Sequence, residues 1–170
     1  MLSSLCRFLC CCGSSKHALV NEHLACLTKE NTRRWVVPFR RAKVVGVYDG
    51  DTVTLAAYIE GQPYRFRCRL AHIDAPEIRP DPLLSRNKRE AEEKMAQLSK
   101  LALTKMALGK LVTLDDVKNE KWGRVLADLT VDGTSETLSK RMLQCKMAVP
   151  YDGRTKTKVD WRLALQECNR

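Results

Sequence analysis

The sequence predicts a domain of the α+β class. Three observations carry that expectation. Two apolar, β-branched runs flank Asp49-Gly50, apolar residues at helical spacing begin just after Asn87, and two more strand-like runs follow before short helical patterns close the chain.

Residues 1–35 read as a tail, since no sustained period runs through them and Gly13-Ser-Ser15 breaks the stretch early. The folded domain is expected over 36–170. Its first two strands, Lys43 to Tyr48 and Thr52 to Ile59, form a hairpin around Asp49-Gly50. Gly61-Gln-Pro63 supplies the next turn, and Tyr64 to Ile73 forms a third strand that ends before Pro76 and carries His72 inside it. Residues 81–85 are loop. Asn87 with Glu90 three residues on resembles a capping box, opening a helix in which Ala91, Met95, Leu98 and Ala102 recur and for which Gly109 is a C-terminal stop. Lys110 to Leu114 and Arg124 to Val131 are further strands, the second closed by Asp132-Gly133. Two short helices are expected near 135–146 and 159–167, and no internal repeat is present.

With 170 residues the chain can bury one core without staples. Charges interrupt every apolar stretch before it reaches membrane-spanning length. The formal charge of +10 favours a polyanionic partner, and it suits DNA, RNA and an acidic membrane surface equally. Of eight cysteines, Cys6, Cys10, Cys11 and Cys12 crowd the first twelve residues, whereas Cys26, Cys68, Cys145 and Cys168 are scattered. No regular spacing suggests a disulfide framework, so mostly free thiols in a reducing compartment are expected. The cluster also lacks the paired spacing of a zinc site with His17 and His23.

Chemistry concentrates in three pieces: Asp49-Gly-Asp51-Thr52, then Arg69 with Asp74-Ala-Pro-Glu77, and Lys121-Trp-Gly-Arg124 ahead of the last strand. Each aspartate alone reads as a turn residue. Together they supply oxygen ligands for a cation, a carboxylate for water and guanidinium groups for phosphate, as metal-assisted phosphodiester hydrolysis requires. Their order and spacing, from about Arg41 to Asp152, resemble the staphylococcal-nuclease (thermonuclease) family. The resemblance implies a five-stranded OB-type β-barrel with about three packed helices, where periodicity alone says only α+β. It also implies a Ca²⁺ site formed by Asp51, Asp74 and the backbone carbonyl of Ala75, which stands where the family often has threonine.

By the same resemblance Glu77 orients or deprotonates water, and Arg69 and Arg124 hold the phosphate through planar forks that stay protonated. Lys121 adds phosphate contact. Tyr151 either stacks on a base, bonds a phosphate or packs on the barrel. Arg65 and Arg67 read as surface residues, Trp122 as packing, and His72 as a residue the mechanism does not need. One difficulty is geometric: Arg69 and Asp74 are five residues apart, so a regular strand points them to opposite faces.

The resulting expectation is a Ca²⁺-dependent endonuclease that acts on DNA and RNA by in-line water attack and leaves 3′-phosphate ends. The rivals are a silent OB module that binds nucleic acid or protein, and a membrane-surface adaptor. No obligate protein partner is evident. Leu5-Cys-Arg-Phe-Leu-Cys-Cys-Cys12 sets four thiols among apolar residues, which suits S-acylation of Cys6, Cys10, Cys11 and Cys12 and membrane association at the cytoplasmic face, against a soluble cytoplasmic protein with incidental thiols. Arg7 interrupts the apolar core a secretory signal needs, and Leu2 excludes N-myristoylation.

Overall fold

The computed structural model describes residues 20, 23–33, 35–120, 123–154, 156 and 159–168. Residues 1–35 and 36–170 form two separate units. In the first, Asn31 closes a short turn: its Oδ1 accepts the Thr28 N–H at 2.7 Å and its Nδ2 donates to the Cys26 carbonyl at 2.7 Å. The four N-terminal cysteines lie outside the described residues.

In the second unit β1 (Arg41–Val47), β2 (Thr52–Ile59), β3 (Gln62–Leu70), β5 (Leu111–Asn119) and β6 (Val125–Val131) close a barrel in the order β1-β2-β3-β6-β5. All neighbours are antiparallel except β3 and β6, which run parallel and pair Arg69 with Leu126. The two-residue strands β4 (Ile73–Asp74) and β7 (Val149–Pro150) pair separately. Three helices accompany them: α1 (Arg86–Ala107), α2 (Leu138–Gln144) and α3 (Trp161–Cys168). This is the expected α+β, OB-type fold.

The barrel closes because alternate strand positions are apolar. Val53, Leu55 and Ala57 of β2, Val112 and Leu114 of β5, and Val125, Ala127, Leu129 and Val131 of β6 are all buried. Leu103 and Ala107 of α1 and Leu138 and Met142 of α2 join the same core. Each large aliphatic side chain in it contributes about 1.5–3 kcal/mol by leaving water.

Several local expectations shift. The β2–β3 turn is Glu60-Gly61, both at positive φ (49° and 78°), so Gln62 and Pro63 already belong to β3. A two-residue turn of this kind matches the strand twist. The third strand stops at Leu70 instead of running to Ile73, and His72 sits in a turn at φ 67° rather than inside a strand. The capping box does not form: the N-cap is Ser85, two residues before Asn87, it makes no side-chain cap bond, and Glu90 pairs with Arg86. At the other end Leu108 N–H bonds the Thr104 carbonyl and Gly109 takes φ 79°, the left-handed conformation that stops a helix. Strand β5 runs on to Asn119 through an irregularity between Asp115 and Lys118.

Gly50 departs from the simple hairpin reading. A Cβ there would lie 2.0 Å from Ser99 Oγ and 2.8 Å from Ala75 Cβ, so glycine is required by close approach of the turn to α1 and to the end of β4. Among the described residues, Cys26, Cys68, Cys145 and Cys168 are free thiols.

Candidate active site

Asp51 is delivered to Arg69 by strand register. Thr52 pairs with Arg69 across β2 and β3, and the Asp51 carbonyl accepts the Leu70 N–H at 2.7 Å. Asp49 steadies the turn by accepting the Asp51 N–H at 3.0 Å. From the other direction, the turn at Ala71-His72 reverses the side-chain alternation and returns Asp74 to the face that Arg69 occupies. That removes the five-residue difficulty. The Nη2 atom of Arg69 lies 2.7 Å from Asp51 Oδ2 and 2.7 Å from Asp74 Oδ1.

Both carboxylates are largely shielded, Asp51 being 4% exposed and Asp74 8%. Asp51 Oδ1 accepts from Thr52 Oγ1 at 2.9 Å, and the Ala75 N–H approaches Oδ2 at 3.4 Å. Burial outweighs the pull of Arg69 and pushes the Asp51 carboxyl up to about 7. Burial works against the charge of Arg69 as well, but Asp51 and Asp74 more than offset it and hold the guanidinium protonated above its ordinary range.

Glu77 stands on the loop beyond Pro76, with its side chain 56% exposed. Lys156 Nζ lies 3.0 Å from Asp74 Oδ1 and also contacts Glu77 Oε1. The Glu77 N–H donates to Glu92 Oε1 of α1 at 3.2 Å. A cleft of about 20 Å³ between Asp49, Asp51, Arg69, Ala75, Pro76 and Glu77 is large enough for one water or ion.

Tyr151 follows β7, where its N–H donates to the His72 carbonyl at 2.9 Å. Its ring centroid is 5.8 Å from the Arg69 guanidinium carbon, a cation–π contact. A cavity of about 470 Å³ is lined by Arg69, Leu70, His72, Glu120, Tyr151 and Arg154 among others. Arg67 is exposed and stacks over Tyr48 at 4.9 Å.

Arg124 is not part of the Asp51–Arg69–Asp74 cluster. It precedes Val125, the partner of Cys68 on β3, and its Nε lies 2.8 Å from Glu120 Oε2 as an ion pair without hydrogen-bond alignment. Lys121 and Trp122 lie outside the described residues. The structure thus gathers Asp51, Arg69, Asp74, Ala75, Glu77 and Tyr151. It adds Lys156, Glu92 and Glu120, which motif reading missed. The basic run Arg154-Thr-Lys-Thr-Lys158 after Tyr151 was the available signal for Lys156; among the neighbouring glutamates of α1, nothing local singled out Glu92.

An OB-type barrel with carboxylates and arginine meeting at its strand ends is a nuclease-like or nucleic-acid-binding fold. The model of the staphylococcal nuclease homologue family matches residues 67–168, and the chain belongs to that family. Its members are generally nucleases and typically depend on Ca²⁺. The matched segment contains Arg69, Asp74, Glu77, Arg124 and Tyr151, while Asp51 reaches the site from outside it through the barrel. Comparison with curated proteins finds no match.

Proposed function

We propose that this chain is a Ca²⁺-dependent endonuclease that hydrolyses phosphodiester bonds of DNA and RNA and leaves 3′-phosphate ends. The supporting observation is the convergence of Asp51 and Asp74 on Arg69 beside Glu77. The donor chemistry suits calcium: the carboxylates of Asp51 and Asp74 stand within 2.7 Å of one guanidinium nitrogen, so a cation here would rest on hard carboxylate, backbone and water oxygens. Asp51 and Asp74 would hold it, with the Ala75 carbonyl as a further ligand.

When bound, the cation supplies positive charge next to the scissile phosphate. Arg69, oriented by two carboxylates and by Tyr151, presents its fork to phosphate oxygens and stabilises charge that develops as water attacks. Glu77, on the loop stiffened by Pro76, accepts or orients the proton of that water. Arg124 becomes a second phosphate donor when phosphate replaces Glu120. Lys121 adds phosphate contact, and Tyr151 faces the bases through the larger cavity. The net charge of +10 steers the polyanion.

One observation favours a second reading, an OB module that binds nucleic acid without cutting it: Arg69 and Lys156 already compensate the carboxylates. Purified protein incubated with single-stranded DNA in Ca²⁺ and in excess chelator separates the two. The nuclease reading expects cleavage that chelator abolishes. Full cleavage in chelator would refute the metal assignment, and binding without cleavage would favour the module.

We also propose that Cys6, Cys10, Cys11 and Cys12 are S-acylated and tether the protein to the cytoplasmic face of a membrane; no helix of the described residues is long and apolar enough to cross one. The support is the setting of the four thiols in the sequence, with two or more chains required for stable attachment. Serine at all four positions should move the protein to the soluble fraction with nuclease activity intact; unchanged fractionation would sink the idea.

A further inference from the structure

The described cation nearest the carboxylates besides Arg69 is Lys156, which reaches them from far along the chain. Its ammonium bridges Asp74 Oδ1, at 3.0 Å, and Glu77 Oε1. Asp74 Oδ1 is also bonded to Arg69, so two cations share one oxygen of a proposed metal ligand. Lys156 is therefore engaged with a proposed metal ligand and with the proposed water-orienting carboxylate at once.

We propose that Lys156 is a tethered counter-ion that holds the site closed without metal and is displaced from Asp74 when a divalent cation binds, releasing Glu77. The idea rests on the calcium reading above and adds regulation to it. A divalent cation held by the Asp74 carboxylate would place like charge against the ammonium, and the lysine stem is flexible enough to swing away. Space exists for that movement: Lys156 lines a cavity of about 330 Å³ that also borders Asp81, Lys88, Glu92 and Asp160. Free Glu77 then faces water instead of an ammonium, so metal binding and exposure of the water-orienting carboxylate occur together. The coupling strength equals what Lys156 loses, and at a half-exposed position that loss is modest.

Calorimetric titration of the metal-free full chain with CaCl₂ tests this without reference to cleavage. Lys156→Met, which keeps the apolar stem and deletes the charge, should bind Ca²⁺ roughly two- to tenfold more tightly than the parent. Its melting temperature should also rise further on adding Ca²⁺ than the parent's does. Lys88→Met controls for net charge, because Lys88 lines the same cavity but lies 3.9 Å from Asp160 and is not paired with Asp74. Tightening in Lys156→Met alone supports the counter-ion. Parental affinity in Lys156→Met, or equal tightening in both variants, overturns it and leaves the calcium site standing. Absence of Ca²⁺ binding by the parent and both variants, each folded by circular dichroism, overturns the calcium reading and the counter-ion with it.

Discussion

Glu92 of α1 accepts a 3.2 Å hydrogen bond through Oε1 from the backbone N–H of Glu77. That bond ties the loop beyond Pro76 to a helix whose Met95, Ser99 and Leu103 are fully buried, so the carboxylate proposed to orient water is carried on a fixed mount. Glu92→Ala removes the acceptor, whereas Glu92→Gln keeps one. The expected outcome is that kcat falls about two- to tenfold in Glu92→Ala with KM nearly unchanged, as the loss of one hydrogen bond allows, and that Glu92→Gln recovers most of it. Steady-state kinetics on a defined oligonucleotide decide the point; equal losses in both variants would assign Glu92 a charge effect instead of a positioning one.

Arg69 is held by Asp51 and Asp74 from one side and by the Tyr151 ring from another, a setting a lysine cannot reproduce. Arg69→Lys, Glu77→Gln and Arg124→Lys should each lower single-turnover cleavage by about a hundredfold or more while circular dichroism stays that of the parent. Near-parental rates in both arginine variants would remove the phosphate-holding roles and favour the non-cleaving module.

Gly50 admits no side chain. An alanine Cβ would meet Ser99, whose Oγ is bonded to the Met147 carbonyl at 2.7 Å and cannot simply rotate away, and would also press on Ala75. Gly50→Ala should therefore destabilise the domain by about 1–3 kcal/mol in urea unfolding. Because the displaced atoms belong to Ala75 and to the turn that carries Asp51, Ca²⁺ affinity should fall as well. Unchanged stability would show that α1 can retreat freely from the turn.

Burial raises the Asp51 carboxyl from its ordinary 3.8 to about 7, so between those values the native state binds a proton that the unfolded chain has released. Stability from this group is complete below about pH 4 and is lost as pH rises towards and through 7. In chelator, the unfolding free energy of the parent should fall across that window relative to Asp51→Asn, which cannot titrate there. Urea unfolding at several pH values measures the difference, and parallel profiles for the two proteins would show that Arg69 fully offsets the burial of Asp51.

Most of the fold was legible because it is written at short range. Alternation in Val53-Leu55-Ala57 and Val125-Ala127-Leu129-Val131 marks strands, and Gly109 ends α1 because its left-handed φ is costly for other residues. The family motifs likewise kept Asp51, Arg69, Asp74 and Glu77 in readable order. The departures lie at local junctions. His72 reads as part of a strand because nothing about a histidine announces a positive φ, and Asn87-x-x-Glu90 suggests a cap that the actual start at Arg86 leaves unused.

The α+β class and the order of the main strands and helices are written in the chain through periodicity and turn chemistry, and the family and its motif residues through the resemblance those motifs carry. Which residues touch is settled in the folded barrel. Register between β2 and β3 brings Asp51 to Arg69, the turn at His72 swings Asp74 onto the same guanidinium, and the chain beyond β7 returns Lys156 to Asp74 and Glu77, 79 residues from the latter. Such contacts follow from barrel closure and packing, in which each partner's position depends on every strand between them, and no local pattern in the chain records that sum.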